Sequence, residues 1–134
     1  MSEITIVPIT DEAGQAFLQR CRADKEHVFI REHDEWVGAF DGTRLIGVGG
    51  LDHRPKYEKL GALFVDPAYR GQGIGQRLVE ARITNRSLTY LAFVTRPSEP
   101  IYQKLGFRPS GKRTNVSQVV KLTPDMPYHG REPG

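Results

Sequence analysis

The chain has 134 residues, 38% of them apolar and 26% charged, with a formal net charge of +3. That length predicts a single domain able to bury its own core, and the composition excludes a disordered chain. No apolar run approaches a membrane span, the lone Cys21 excludes an internal disulfide, and +3 is too small by itself to argue for nucleic acid.

The charge is unevenly spread. Residues 1–53 carry 5 Lys/Arg against 10 Asp/Glu, and residues 54–134 carry 14 against 6. The resulting −5 and +8 halves suit a cation and an anion respectively, although ordinary solvated faces account for both. Met1-Ser2-Glu3 begins no basic-then-apolar leader, so the chain is expected in the cytoplasm, with no membrane partner.

Ile4 to Ile9 alternates as a first strand, with Pro8 placing it at an edge. Thr10 offers an N-cap, and Ala13, Phe17, Leu18 and Cys21 recur at helical spacing, predicting a helix to about Arg22. In that register Cys21 is a buried apolar group rather than a nucleophile. Residues 24–35 fit a short helix or a loop equally well. His27 and His33 lie six apart, outside any metal-ligand spacing, so no metal is expected.

Trp36 to Phe40 and Arg44 to Leu51 form a hairpin about Asp41-Gly42, and Asp52 to Lys56 forms the next turn. Leu60 to Val65 is a nearly continuous apolar run, the signature of a strand covered on both faces. A glycine-rich stretch then leads into a helix over about Gly73 to Arg86, with Ile74, Leu78, Val79 and Ala81 on its apolar face. Thr89 to Thr95 is a further strand. Ser98 begins a short helix that stops at Gly106, and Val116 to Leu122 is the last strand. The predicted class is a mixed α/β domain over residues 1–122, with a Pro- and Gly-rich tail over 123–134.

Arg70-Gly71-Gln72-Gly73-Ile74-Gly75 sits between a buried strand and a helix. Glycines there let a ligand approach backbone N–H groups closely, and the first turn of the helix is a ready anion site. Arg70 adds a positive charge, so the loop reads as a pyrophosphate cradle. It is not a P-loop, because Gln76-Arg77 stands where Lys and a hydroxyl are needed. Nor does it fit a dinucleotide fold: the spacing is G-x-G-x-G, and no acidic residue occurs at 93–97.

Leu63-Phe64-Val65-Asp66-Pro67-Ala68-Tyr69-Arg70-Gly71-Gln72-Gly73-Ile74-Gly75 resembles the acetyl-CoA motif of the GCN5-related N-acetyltransferase (GNAT) superfamily. Ile101-Tyr102-Gln103-Lys104-Leu105-Gly106-Phe107 resembles that family's second characteristic stretch, in the usual order and at the usual separation. The likeness is close over roughly residues 58–110. It implies a mixed sheet splayed open between the strands at 60–65 and 89–95. Acetyl-CoA would lie there, its pantetheine arm on Leu63, Phe64 and Val65 and its pyrophosphate on residues 71–75. An amine, from a small molecule or a protein Lys, would attack the thioester directly, with no metal and no covalent enzyme intermediate. A homodimer through the C-terminal strand is also implied.

The match puts Tyr102 in the place of a general acid for the departing sulfur, a role that suits a phenol protonated at neutral pH. The family's usual Glu position holds Lys59, leaving neighbouring Glu58 as the candidate base, although regular strand alternation would turn it to the other face. Asp52 and His53 are further candidates. Thr95 replaces the family's frequent Asn and keeps one hydrogen bond to offer the cofactor. The sequence admits two other readings: a CoA-binding module that has lost chemistry, motivated by Lys59 and Thr95, and a nucleic-acid-binding domain, motivated only by the basic C-terminal half and a pI near 9.2.

Overall fold

A computed structural model describes residues 3–115 and 117–131 of the chain. Strand β1 (Ile4–Ile9) lies at one edge of the sheet, where Pro8 is tolerated, and pairs antiparallel with β2 (Glu35–Asp41). Helix α1 (Asp11–Arg20) begins at Thr10, whose hydroxyl accepts the Ala13 N–H at 3.1 Å. It stops two residues short of the predicted end, because Arg22 (φ 54°) turns left-handed into a 3-10 turn over Ala23–Glu26. Residues 28–33 then have no regular structure, which settles the segment that the sequence left open. Phe17 and Leu18 of α1 are fully buried against Trp36, Val48 and Phe64, each burial contributing about 1.5–3 kcal/mol. Trp36 also lies flat on Gly14, where a Cβ would come within 2.3 Å of its ring.

β2 and β3 (Arg44–His53) form the expected hairpin, with Gly42 at φ 63°. β3 then pairs antiparallel with β4 (Glu58–Val65). Both strands run two residues further than predicted, because the ladder continues to His53–Glu58 and leaves only residues 54–57 in the turn. The β3–β4 register slips between Val48 and Gly50, opposite Phe64 and Gly61, so β4 bulges at Ala62 and Leu63; Ala62 has φ 37°. Helix α2 (Ile74–Arg82) follows the glycine loop and ends four residues earlier than predicted. Ile83 turns into the core at 1% exposure, and Arg86 leaves the helix line to donate to the carbonyls of Thr123 and Met126.

β5 (Tyr90–Val94) is parallel to β4, but the two pair only at Glu58–Leu60 with Tyr90–Ala92 and then part. This explains why β4, predicted to be covered on both faces, is only half-buried except at Leu60 and Phe64. Helix α3 (Glu99–Leu105) ends at left-handed Gly106. The two-residue β6 (Arg108–Pro109) and β7 (Gln118–Leu122) complete a seven-stranded sheet of order β1-β2-β3-β4-β5-β7-β6. β7 starts later than Val116, which lies outside the described residues. It is flanked by β5 on one side and by β6 at Val120 and Lys121 on the other. One face of the sheet carries α2 and α3 over Leu60, Tyr90, Ala92, Val120 and Leu122; the other carries α1.

The segment predicted as a tail has no regular secondary structure over 123–131, yet it packs onto the domain. Met126 and Tyr128 lie against the core, the His129 N–H donates to the Leu105 carbonyl at 2.9 Å, and the Arg131 N–H donates to Glu80. Among the described residues no helix is long and apolar enough to cross a membrane.

Candidate active site

Where β4 and β5 part, a cavity of about 770 Å³ opens between them and runs to the start of α2. Leu63, Phe64 and Val65 line it from β4, Thr95 from the end of β5, and Arg70, Gly71, Gly73, Ile74 and Gly75 from the glycine loop. Gln72 alone of the expected cofactor residues faces elsewhere, into a second cavity beside Arg77 and Glu80. Gly71 and Gly73 both have φ 81°, and a Cβ on either would meet nothing within 4 Å. Glycine is needed there for backbone shape, and the space in front of the loop is open. The first-turn N–H groups of α2, which a helix leaves without carbonyl partners, lie at this mouth. Such a surface can hold a phosphate through backbone donors and the helix dipole.

Charged groups at the mouth include some that the sequence did not single out. Lys104 of α3 lines the cavity, as do Lys25, Glu26 and His27 of the turn after α1. The Arg70 guanidinium lies over the Phe64 ring and donates to both Glu26 oxygens at 2.8 and 3.1 Å, while its Nε donates to the Val65 carbonyl. Thr95 engages Ser98 instead of standing free: the two hydroxyl oxygens are 3.2 Å apart, and the Thr95 N–H donates to Ser98 Oγ.

Tyr102 does not line the cavity. It is 3% exposed, packed edge-on against Phe107 at 5.3 Å between centroids, with its phenol within electrostatic reach of Arg82. Burial raises the phenol's pKa and the guanidinium draws it partly back, so the group is protonated at neutral pH. Arg82 itself is 2% exposed. Its Nε donates to the Leu78 carbonyl at 3.0 Å, and its Nη1 donates to the carbonyls of Gly50 at 2.6 Å and Gly61 at 2.8 Å. The guanidinium thereby ties α2 to β3 and β4 at the point where β4 leaves β5. Gly49 makes room for it, since a Cβ there would lie 2.7 Å from the guanidinium carbon.

Glu58 pairs in register with His53 and Tyr90 at the start of β4, before the strands part. Its carboxylate lies 2.7 Å from His53 Nδ1, and Glu35 lies 2.6 Å from His53 Nε2, so the imidazole's pKa is raised, chiefly by Glu58. Lys59 projects to the opposite face, where its ammonium lies 4.8 Å from the centroid of the 59%-exposed Phe93 ring. The β4 bulge lies beyond both residues and changes neither orientation.

On the Lys59 face the structure brings together a pair that sequence spacing did not reveal. His33 is 7% exposed and lies over Gly50 and Gly61, where added Cβ atoms would each come within 2.6 Å of its ring. Its Nδ1 is 3.0 Å from Asp52 Oδ2, which also accepts from Arg31 at 2.7 Å, while Asp52 Oδ1 accepts the Asp34 N–H at 3.1 Å. These donors hold the Asp52 carboxyl below its usual range despite the opposing effect of burial. Other acidic side chains of the N-terminal half are likewise engaged by donors of the chain itself. Asp11 takes the His33 main-chain and Trp36 indole N–H groups, Asp34 takes the His53 N–H, Asp41 takes the Tyr69 hydroxyl and Glu26 takes Arg70. Cys21 is half-buried against the Phe17 cluster, and burial raises its thiol pKa, as suits packing rather than nucleophilic attack.

Comparison with known proteins agrees with this geometry. The family model described as an acetyltransferase (GNAT) domain matches residues 6–124. The chain is 33% identical over 119 residues to the peptidyl-lysine N-acetyltransferase YjaB of Salmonella typhimurium, covering 84% of this chain and 79% of that protein. It is 33% identical over 95 residues to the N-alpha-acetyltransferase RimI of Mycobacterium tuberculosis, covering 65% of this chain and 60% of that one. In fold it is similar to a PaiA N-acetyltransferase from Thermoplasma acidophilum solved with coenzyme A, at TM-score 0.70 and 16% identity over 90% of this chain and 99% of that one. It is likewise similar to the diaminobutyrate acetyltransferase EctA of Paenibacillus lautus, at TM-score 0.69 and 12% identity over 92% and 96%. With the family model spanning nearly the whole described domain and a splayed sheet beside a glycine-rich helix start, this chain belongs to the acetyltransferase (GNAT) family.

Proposed function

We propose that the protein transfers an acetyl group from acetyl-CoA to a primary amine by direct attack within a ternary complex. The observation that carries this reading is the cavity that joins the gap between β4 and β5 to the open glycine loop at the start of α2. Its residues fit the cosubstrate: Leu63, Phe64 and Val65 offer an unpaired strand edge to the pantetheine amides. Residues 71–75 offer backbone donors to the pyrophosphate, with Arg70 beside them. Thr95 borders the same cleft.

Acetyl-CoA supplies the activated acyl group; the chain's own residues bind, orient and move protons. Tyr102, kept protonated by burial beside Arg82, is the family-matched donor for the departing thiolate, a role that requires its phenol to turn from the packing against Phe107 toward the cavity it does not line. The relative named for peptidyl-lysine acetylation and the neighbour solved with diaminobutyric acid support an amine acceptor, as a small molecule or a protein Lys. Self-association through the C-terminal strand would use the edge that the short β6 leaves on β7.

Calorimetric titration of acetyl-CoA tests the cofactor assignment, with the Arg70→Glu, Gly73→Asp double variant as control. Micromolar binding by the wild type, lost in the control, is expected. A folded wild type that binds no acetyl-CoA would refute the reading.

A further inference from the structure

We infer that His33, oriented by Asp52, is the base that takes the proton from the acceptor amine. The inference deepens the acetyl-transfer reading and rests on it. Three observations converge. The first concerns the tautomer. Asp52 receives donors from Arg31 and the Asp34 N–H and is therefore an ionised, acceptor-only group. The bond to His33 Nδ1 then requires the hydrogen to sit on Nδ1, which leaves the lone pair on Nε2.

The second observation is that Nε2 is buried and has no hydrogen-bond partner. A lone pair enclosed without a donor is costly, and an incoming ammonium N–H would satisfy it. The third is position. The ring lies on Gly61, the first β4 residue past the last pair with β5, on the face that carries Lys59 and exposed Phe93. Gly61 marks where β4 and β5 begin to part; the ring lies on it, outside the lining of the cavity, on the side toward which the acyl end of a pantetheine arm laid along Leu63–Val65 would point.

The charged groups that act on the ring come from three elements and its own loop: Asp11 of α1, Arg31 in the loop, Asp52 of β3 and Arg82 of α2, with Arg54 of the β3–β4 turn 3.9 Å from Asp52. Burial, opposed by Asp52 and assisted by Arg31 and Arg82, keeps the imidazole pKa below its usual value, so it is neutral and ready to accept at pH 7. Reaching Nε2 requires a shift of the 28–33 loop, a segment without regular structure whose Phe29 is 82% exposed.

The step balances as follows. The ammonium gives one proton to Nε2, and the freed nitrogen pair forms the C–N bond to the thioester carbonyl. As the C–S bond breaks, its electrons leave on sulfur, which takes a proton from Tyr102. The second nitrogen proton leaves as the amide forms and restores the phenol. The proton on His33 passes to water, matching the single proton that the overall reaction releases.

The test has two arms. Nitrogen-15 spectra of the imidazole at pH 7 should show the Nδ1–H tautomer; an Nε2–H tautomer would overturn the inference whatever the enzyme's activity. The second arm follows thiol release from acetyl-CoA with n-propylamine and a lysine-containing peptide as probes, across pH 5–9. His33→Asn, which can keep a donor toward Asp52, should lower kcat about 10²–10⁴-fold. It should also remove the acidic limb of the pH profile, with the acetyl-CoA Kd unchanged. Wild-type and variant turnover with equal rates and the same limb would overturn the inference and leave the acetyl-transfer reading standing. Absence of acetyl-CoA binding to the wild type would instead overturn that reading.

Discussion

Gly73 and Gly42 form a matched pair that separates backbone strain from ligand binding. Both have positive φ, 81° and 63°, and a Cβ added at either meets nothing within 4 Å. Replacing either with Ala therefore adds no clash. It places a non-glycine residue in the left-handed region at about 1–2 kcal/mol, partly offset by about 0.4–1 kcal/mol from a stiffer unfolded chain. The net loss is about 1 kcal/mol in each case. With roughly 2.1 cal/mol/K of unfolding entropy per residue, a chain of this length loses about 3–4 °C in Tm. The two variants should melt alike and should part on acetyl-CoA. At Gly73 the methyl group stands where phosphate must approach the helix amides, and losing one charge-assisted hydrogen bond costs about 1.5–3 kcal/mol, or roughly 10–150-fold in Kd. At Gly42, in the β2–β3 turn, Kd should be unchanged. Differential scanning fluorimetry and calorimetry measure both quantities. Gly73→Ala binding within twofold of Gly42→Ala would refute the cradle.

Glu26→Gln should free Arg70 for phosphate and tighten acetyl-CoA up to about fivefold by calorimetry, with little change in Tm because the pair is half-exposed; weaker binding would contradict this. Tyr102→Phe should lower kcat by about 10²-fold or more while leaving acetyl-CoA affinity alone, whereas parallel loss of Kd and kcat would mark a packing role. Stability should fall with acid through His33. Its folded pKa is lowered, so its contribution is complete above about 6.5 and is lost as pH falls below that value; Asp52, also lowered, adds a second loss below about 3.8. His53 has the opposite sign, its contribution complete below about 6.5 and fading as pH rises, but it is half-exposed and offsets little. His33→Asn should accordingly flatten the drop in Tm between pH 7 and 5, which fluorimetry would register.

The cradle was legible in the sequence because everything it needs is local. The strand, the turn at Asp66-Pro67, two left-handed glycines and a helix start follow one another within 60–75, and their chemistry is carried by the backbone. The His33–Asp52 pair was not legible, since it joins an irregular loop to a strand 19 positions away and neither residue belongs to a periodic pattern. Arg82 carried no signal in the sequence, because a charged side chain on a helix is ordinarily solvated. Only the packed fold shows it turned inward, with Gly49 leaving space and two β-strand carbonyls accepting its protons. The same limit explains the ends of α2 and the packed 123–131 segment: Arg86 reaches Thr123 and Met126 across the fold, a pairing that no window of neighbouring residues contains.

The most direct test of the central claim is to incubate the protein with acetyl-CoA carrying a carbon-13 acetyl group, with and without a panel of primary amines, and to follow products and intact protein by mass spectrometry. The account predicts labelled N-acetyl amine and free CoA in equal amounts, with no acetyl adduct on the protein when amine is left out. Acetyl-CoA bound but untransferred across the panel, or an acetyl-protein intermediate that forms without amine, would contradict it.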